Sequence, residues 1–173
     1  QADRILIAAG CGTPALLAGL GHPVPLRDAP GMLMRTNPLP PVAGPVLASP
    51  GMDFWQGTDG RILVATGTAD TLTTAPEVAA ERALDRLRAR LPGLDIRLEH
   101  LGLWHRPIPE DGLPAVGEVA PGVHVAVMHS GMTLGPIVAD CIAAEVLGHS
   151  APYDLAPYRP GRFAHSGPSS GVS

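Results

Sequence analysis

The chain has 173 residues, with 12 basic and 16 acidic side chains and a formal net charge of −4. That balance argues against nucleic acid as the main partner, and no apolar run approaches the roughly 18 residues that span a bilayer. Hydrophobic residues make up 45% and charged residues 16%, too apolar for a disordered chain. Gly (21) and Pro (20) are abundant, so an apolar core joined by many turns and irregular loops is expected.

Arg4 to Ala9 is a short aliphatic run closed by Gly10 and Gly12, the pattern of a buried strand entering a turn. Residues 13–20 read as a short helix, with Pro14 in its first turn and Gly19 and Gly21 at its end. A proline-punctuated stretch follows, with strand candidates at residues 31–36 and 46–48. Residues 53–56 and 61–66, joined through Asp59-Gly60, read as a β-hairpin.

Thr74-Ala75-Pro76-Glu77 opens the clearest helix, with Thr74 as cap and Glu77 as its capping-box partner. Ala80, Leu84, Leu87 and Leu91 fall on one face, and Pro92-Gly93 ends it. Its arginines, interspersed with Glu81 and Asp85, read as a solvated outer face. Residues 95–105 alternate as a long strand, carrying Ile96, Leu98, Leu101 and Leu103. Val123 to Met128 is a buried strand that breaks at His129-Ser130-Gly131 into a second helix, with an apolar stripe of Leu134, Ile137, Val138, Cys141 and Ile142.

The only cysteines, Cys11 and Cys141, make neither a metal site nor a disulfide framework, so a reducing, cytoplasmic setting is the default. His100, His105, His124 and His129 match no usual ligand spacing, and no metal is expected. The chain begins at Gln1 and enters an apolar run within a few residues, so its N-terminus reads as cut. Ser166 to Gly171 reads as a flexible tail.

Three segments could carry chemistry. Gly10-Cys11-Gly12-Thr13-Pro14-Ala15 fits G-x-G-x-x-A after a strand, the turn that cradles a dinucleotide pyrophosphate. The proline-dense residues 21–30 contradict that reading, because a central second strand cannot carry them. The second segment runs from Trp104 to Gly117. The third, Met128 to Pro136, is a strand turning through Gly131 into a helix N-terminus, where free N–H groups suit a phosphate, a carboxylate or an electron-rich ring carbonyl.

Taken in order, these pieces resemble the D-amino-acid oxidase family of FAD-dependent oxidoreductases, which includes glycine oxidase and sarcosine oxidase. The matching pieces are a strand ending Ala8-Ala9-Gly10, a Pro-rich segment and the Gly60-Arg61-Ile62-Leu63-Val64 hairpin. Arg106-Pro107-Ile108-Pro109 with Asp111-Gly112-Leu113-Pro114 and Gly117, then His129-Ser130-Gly131-Met132-Thr133-Leu134-Gly135-Pro136, complete the set. The resemblance is collinear over residues 3–150 and reaches only the C-terminal half of the family.

The resemblance implies an α/β fold with α+β character. A mixed-sheet substrate lobe with flanking helices would join the last strand and helix elements of a Rossmann-like FAD lobe. Its boundaries would be residues 1–29 for the end of the FAD lobe, 30–110 for the substrate lobe, 111–150 for the return to the FAD lobe and 151–173 for a C-terminal tail. By resemblance, Ala8, Ala9 and Gly10 lie against the FAD, and His129, Ser130, Gly131, Met132, Thr133 and Leu134 lie beside its pyrimidine ring. Arg106 grips the substrate carboxylate, and Trp55 is a second substrate-binding candidate.

The implied reaction is oxidation of a small amine or amino acid by hydride transfer to flavin N5, in which the cofactor performs the difficult step. Relatives that tether FAD do so through a Cys near the position of Arg106. Trp104 and His105 stand there in this chain, so noncovalent FAD is expected. The expected partner is a missing N-terminal FAD-binding half, without which the isolated chain is incomplete and inactive. The alternative is a non-catalytic subunit or remnant acting only in binding or assembly. Exposed apolar patches are expected along residues 3–10 and 123–147.

Overall fold

The computed structural model describes residues 2–42, 44, 46–50, 52–66 and 75–164. They fall into two compact units, one formed by Gln1–Asp28 with Arg106–Ser173 and the other by Ala29–His105. The class is α+β, with two sheets and three helices among the described residues.

In the first unit, β1 (Ile5–Ile7) pairs in parallel with β8 (Val123–Val127), and β8 pairs antiparallel with β7 (Ala115–Ala120). β1 leads through a 3-10 turn at Gly10–Gly12 into α1 (Thr13–Leu17), only five residues long. No strand of the sheets lies between α1 and β2 (Pro30–Pro38), in keeping with the proline density there. The last helix is α3 (Gly131–Val146). Alternation along β8 divides the apolar contacts between two faces. Val125 and Val127 pack with Leu17, Val24 and Phe163, while Ala126 and the following Met128 pack with Cys141 and Ile142 of α3.

The second unit holds a five-stranded sheet in the order β3-β4-β5-β2-β6, formed by β3 (Leu47–Ser49), β4 (Met52–Gln56), β5 (Arg61–Thr66), β2 and β6 (Leu98–His105). Every neighbouring pair in it is antiparallel. The mixed pairing expected for this lobe is found instead in the smaller sheet, where the parallel β1–β8 pair meets antiparallel β7. One face of the large sheet is covered by α2 (Pro76–Arg90), whose Ala79, Ala80, Ala83, Leu84 and Leu87 are fully buried against Met32, Met34, Ile62 and Val64. Each such leucine contributes about 1.5–3 kcal/mol through burial.

Thr74, expected to cap α2, lies outside the described residues. The N-cap position is Ala75, which makes no side-chain cap bond, and Pro76 occupies the first turn. Residues 166–171, expected as a flexible tail, also lie outside the described part. Residues 151–164 pack as two 3-10 turns (Ala156–Tyr158 and Pro160–Phe163), with Leu155, Pro160 and Phe163 buried. Arg159 pairs with Glu145 of α3, and its guanidinium occupies the space that a Cβ on Gly117 would fill. Gly117 has φ +131°, so glycine is required there on both counts.

Exposed apolar side chains occur where expected. Ile5 and Leu6 are about half exposed, and Met132, Ile137 and Leu147 are exposed along 123–147. β1 has β8 on one edge and no strand on the other among the described residues.

Candidate functional site

Because β1 and β8 run in parallel, the turns that follow them emerge at the same end of the sheet. The carboxyl ends of adjacent parallel strands are where α/β sheets bind ligands. A cleft of about 350 Å³ opens there, and Ala8, Gly10 and Gly131 line it together with Leu6, Met128 and Pro107. The α3 wall of the cleft is made of Gly135, Val138, Ala139 and Ile142. A wall of small and aliphatic groups admits a flat ring at close range, and helical spacing sets those four residues on one side of α3.

The first turn of α3 supplies the polar part. Ser130 is the N-cap without a side-chain cap bond, and no acidic residue stands in the first turn. The Thr133 and Leu134 N–H groups donate to the Ser130 carbonyl at 3.1 and 2.9 Å. The N–H groups of Gly131 and Met132 make no hydrogen bond among the described residues. They are free donors at the positive end of the helix dipole, suited to an anionic or electron-rich group.

The cofactor candidates therefore separate. Ala8, Gly10 and Gly131 meet in one cleft, while Ala9 lines a second apolar cleft with Leu16 and Leu20. His129, Ser130 and Thr133 are exposed at the helix start, with His129 Nδ1 3.2 Å from Ser130 Oγ. Met132 is 99% exposed. Leu134 packs beneath α3 in the core with Met128 and Cys141. Trp55 belongs to the other unit, half-buried on β4.

Arg106 is half-buried at the head of the loop that precedes β7. Pro107, the next residue, enters the cleft, with its Cγ 3.8 Å from where a Cβ on Gly10 would stand. The loop is held from two sides. The Arg27 N–H donates to the Ile108 carbonyl at 2.8 Å, Glu110 N–H to the Pro25 carbonyl at 3.0 Å, and Arg27 Nε to the Glu110 carbonyl at 2.6 Å. From the C-terminal side, Arg162 Nε and Nη2 donate to the Asp111 carboxylate at 2.5 and 3.1 Å. Asp111 also accepts the Leu113 N–H at 3.0 Å.

Sequence reasoning missed Arg27 and Arg162 as residues that position this loop. It also missed the Gly135 side of α3, whose signal was a run of small residues at helical spacing.

The hydrogen bonds from Arg162 hold the Asp111 carboxyl below the ordinary value of 3.8. A carboxylate with a depressed folded-state pKa contributes stability that is present above the ordinary value and is lost as pH falls through the folded one. Asp111→Asn is therefore expected to lower Tm at pH 7, with the deficit shrinking below about pH 4. Thermal melts at pH 7 and pH 3 check this, and an equal deficit at both would refute it.

The family model described as FAD dependent oxidoreductase (DAO) matches residues 1–145. The chain belongs to this family. It is 30% identical to a D-amino-acid oxidase of Bradyrhizobium diazoefficiens, over 93% of this chain and 41% of that protein. Among solved structures, it resembles an iminodiacetate oxidase from Chelativorans sp. BNC1 at 29% identity and TM-score 0.72, over 92% of this chain and 46% of that one. An L-amino acid deaminase from Proteus vulgaris matches at 25% identity and TM-score 0.78, over 92% and 43%. The chain thus spans less than half the length of these relatives. No helix among the described residues is long and apolar enough to cross a membrane.

Proposed function

We propose that this chain is the C-terminal part of an FAD-dependent oxidoreductase that oxidises a small amine or amino acid. The observation that carries the reading is the cleft at the carboxyl ends of β1 and β8, where Ala8, Gly10 and Gly131 meet beside the free N–H groups of Gly131 and Met132. The residues present fit FAD on these grounds, since the walls are apolar and short and free N–H donors stand at the helix end. Bound there, FAD supplies a hydride acceptor at N5.

The chain's own residues would do the rest. Ala8, Ala9 and Gly10 hold the cofactor from the β1 turn, and His129 to Leu134 hold it from the α3 turn. The Gly131 and Met132 amides stabilise negative charge on the pyrimidine edge. Arg106 orients the substrate through its carboxylate, and Trp55 contributes a substrate contact.

The relatives' names, amino-acid and iminodiacetate oxidase among them, support a substrate bearing a carboxylate. The partner is an N-terminal FAD-binding half. The relatives' greater length supports it, as does the edge of β1 that has no strand beside it among the described residues.

FAD is held noncovalently in this reading, because Trp104 and His105 precede Arg106 where tethering relatives place a Cys. The full-length protein, mixed anaerobically with a panel of amino acids and N-substituted glycines, is expected to lose its flavin absorbance with at least one of them. Acid precipitation is expected to leave the yellow colour in solution. A full-length protein that retains no flavin would sink the enzyme reading in favour of a binding or assembly module.

A further inference from the structure

A polar cavity of about 540 Å³ lies at the amino ends of β1 and β8, the opposite end of that parallel pair from the cleft. Arg4, Glu118, His124, Glu145, His149 and Arg159 line it, all from the unit of Gln1–Asp28 and Arg106–Ser173. Arg4 precedes β1, His124 is the second residue of β8, and His149 follows the last turn of α3. Gly131 of the cleft opens that helix, whose 16 residues hold its two ends about 24 Å apart.

Alternation along β8 sends His124 to the same face as Ala126, the face that α3 covers. Strand register sets Glu118 of β7 directly beside it. His124 is 3% exposed, and its Nδ1 is buried without a hydrogen-bond partner among the described residues. Such a group costs stability, and an ordered water, an ion or a functional role is the usual account of it.

The groups around this ring leave a surplus of donors. Arg159 gives both Nη groups to the two Glu145 carboxylate oxygens, so that pair is satisfied within itself. Glu118 Oε1 accepts the Gly122 N–H at 2.8 Å, which leaves Oε2 as an acceptor. The Leu147, Gly148 and His149 N–H groups donate to the Ala143, Glu145 and Ala144 carbonyls, which caps the end of α3. The side chains of Arg4 and His149 make no hydrogen bond or ion pair among the described residues.

A guanidinium and two imidazoles therefore face one carboxylate oxygen. No group of three His, Cys, Asp or Glu residues among those described is placed to hold a metal ion. A tetrahedral oxyanion that keeps one proton matches the set. Its charged oxygens take the N–H donors, and its O–H donates to Glu118, which as a carboxylate only accepts. Phosphate keeps such a proton at neutral pH, and sulfate does not.

We propose that this cavity binds a phosphate group, with Arg4, His124 and His149 donating to its oxygens and Glu118 accepting from its hydroxyl. The site stands apart from the FAD cleft and does not depend on the oxidoreductase reading.

The chain has seven histidines, so the full-length protein with isotope-labelled histidine reports the site directly by NMR. It is titrated with inorganic phosphate, methyl phosphate and sulfate at fixed ionic strength. Saturable shifts are expected at His124 and His149 but not at His129 beside the cleft, with phosphate favoured over sulfate by about tenfold or more. Methyl phosphate binding as tightly as the free ion would support the site and assign it to phosphate esters. Binding of the free ion alone would support it as a site for inorganic phosphate.

Arg4→Gln, at an exposed side chain, should weaken phosphate by about tenfold or more. Glu118→Gln keeps an oxygen for the Gly122 N–H and should remove the preference over sulfate. Arg82→Gln, on α2 of the other unit, should change neither. No saturable shift at His124 and His149, shifts confined to His129, equal affinity of the parent for phosphate and sulfate, or an Arg4→Gln protein that binds like the parent would overturn the assignment.

Discussion

Arg106→Ala in the full-length protein is expected to cost about 2–5 kcal/mol of substrate binding, read as a KM higher by about thirty-fold to several thousand-fold. The size follows from truncating one partner of a desolvated charge pair, which leaves the substrate carboxylate without its counter-ion. Arg106 is half-buried, and the loop that carries it is fastened by Arg27, Pro25 and Arg162, so the backbone from which it projects is positioned before substrate arrives. Arg106→Lys should recover little, because a single ammonium cannot reproduce two parallel hydrogen bonds. Arg162→Gln, which loosens the loop and leaves Arg106 intact, should raise KM by less than Arg106→Ala does. An unchanged KM in Arg106→Ala would remove the carboxylate role from this residue.

The largest expected effect on stability is at Leu84. Its side chain is fully buried in the core between α2 and the five-stranded sheet, among Met34, Ile62, Val64 and Leu87. Leu84→Ala removes apolar contacts and leaves a cavity that the surrounding packed core fills only in part. A loss of about 2–5 kcal/mol follows, or a Tm lower by roughly 5–15 °C for a chain of this size. Val78→Ala, at a side chain 46% exposed on the same helix, should change stability by no more than about 0.5 kcal/mol. Comparable losses from the two substitutions would contradict the packing of α2 described above.

The elements legible in the sequence were those whose pattern is local. α2 could be read because Ala80, Leu84 and Leu87 recur at helical spacing and Pro92-Gly93 closes the run. The β4–β5 hairpin could be read because Gly60 takes φ +79° in the turn beside Asp59. β6 was harder. Leu98 and Leu101 break strict alternation, and both meet the α2 side of β2 only because the register shifts between Arg35 and Thr36. A bulge is invisible to a two-residue period.

The candidate site divides the same way. Ala8-Ala9-Gly10 and His129 to Leu134 were recognisable as turns after strands, and the order of motifs pointed to the family that the comparisons bear out. Strand and helix periods and the individual motifs were settled by the sequence, because each depends on neighbours within about a dozen residues.

Only the tertiary structure brought the β1 and β8 turns to one end of a parallel pair and set Pro107 against Gly10. It also set Arg162 on Asp111, 51 residues away, from a stretch expected to be a tail. Strand register likewise lines up Trp55, Leu63, Arg35 and His100 across four strands, although they are scattered along the chain. These relations join residues distant in sequence through strand register and 3-10 turns, neither of which leaves a periodic trace. The abundant Gly and Pro marked where turns would fall, and packing alone decided what those turns would face.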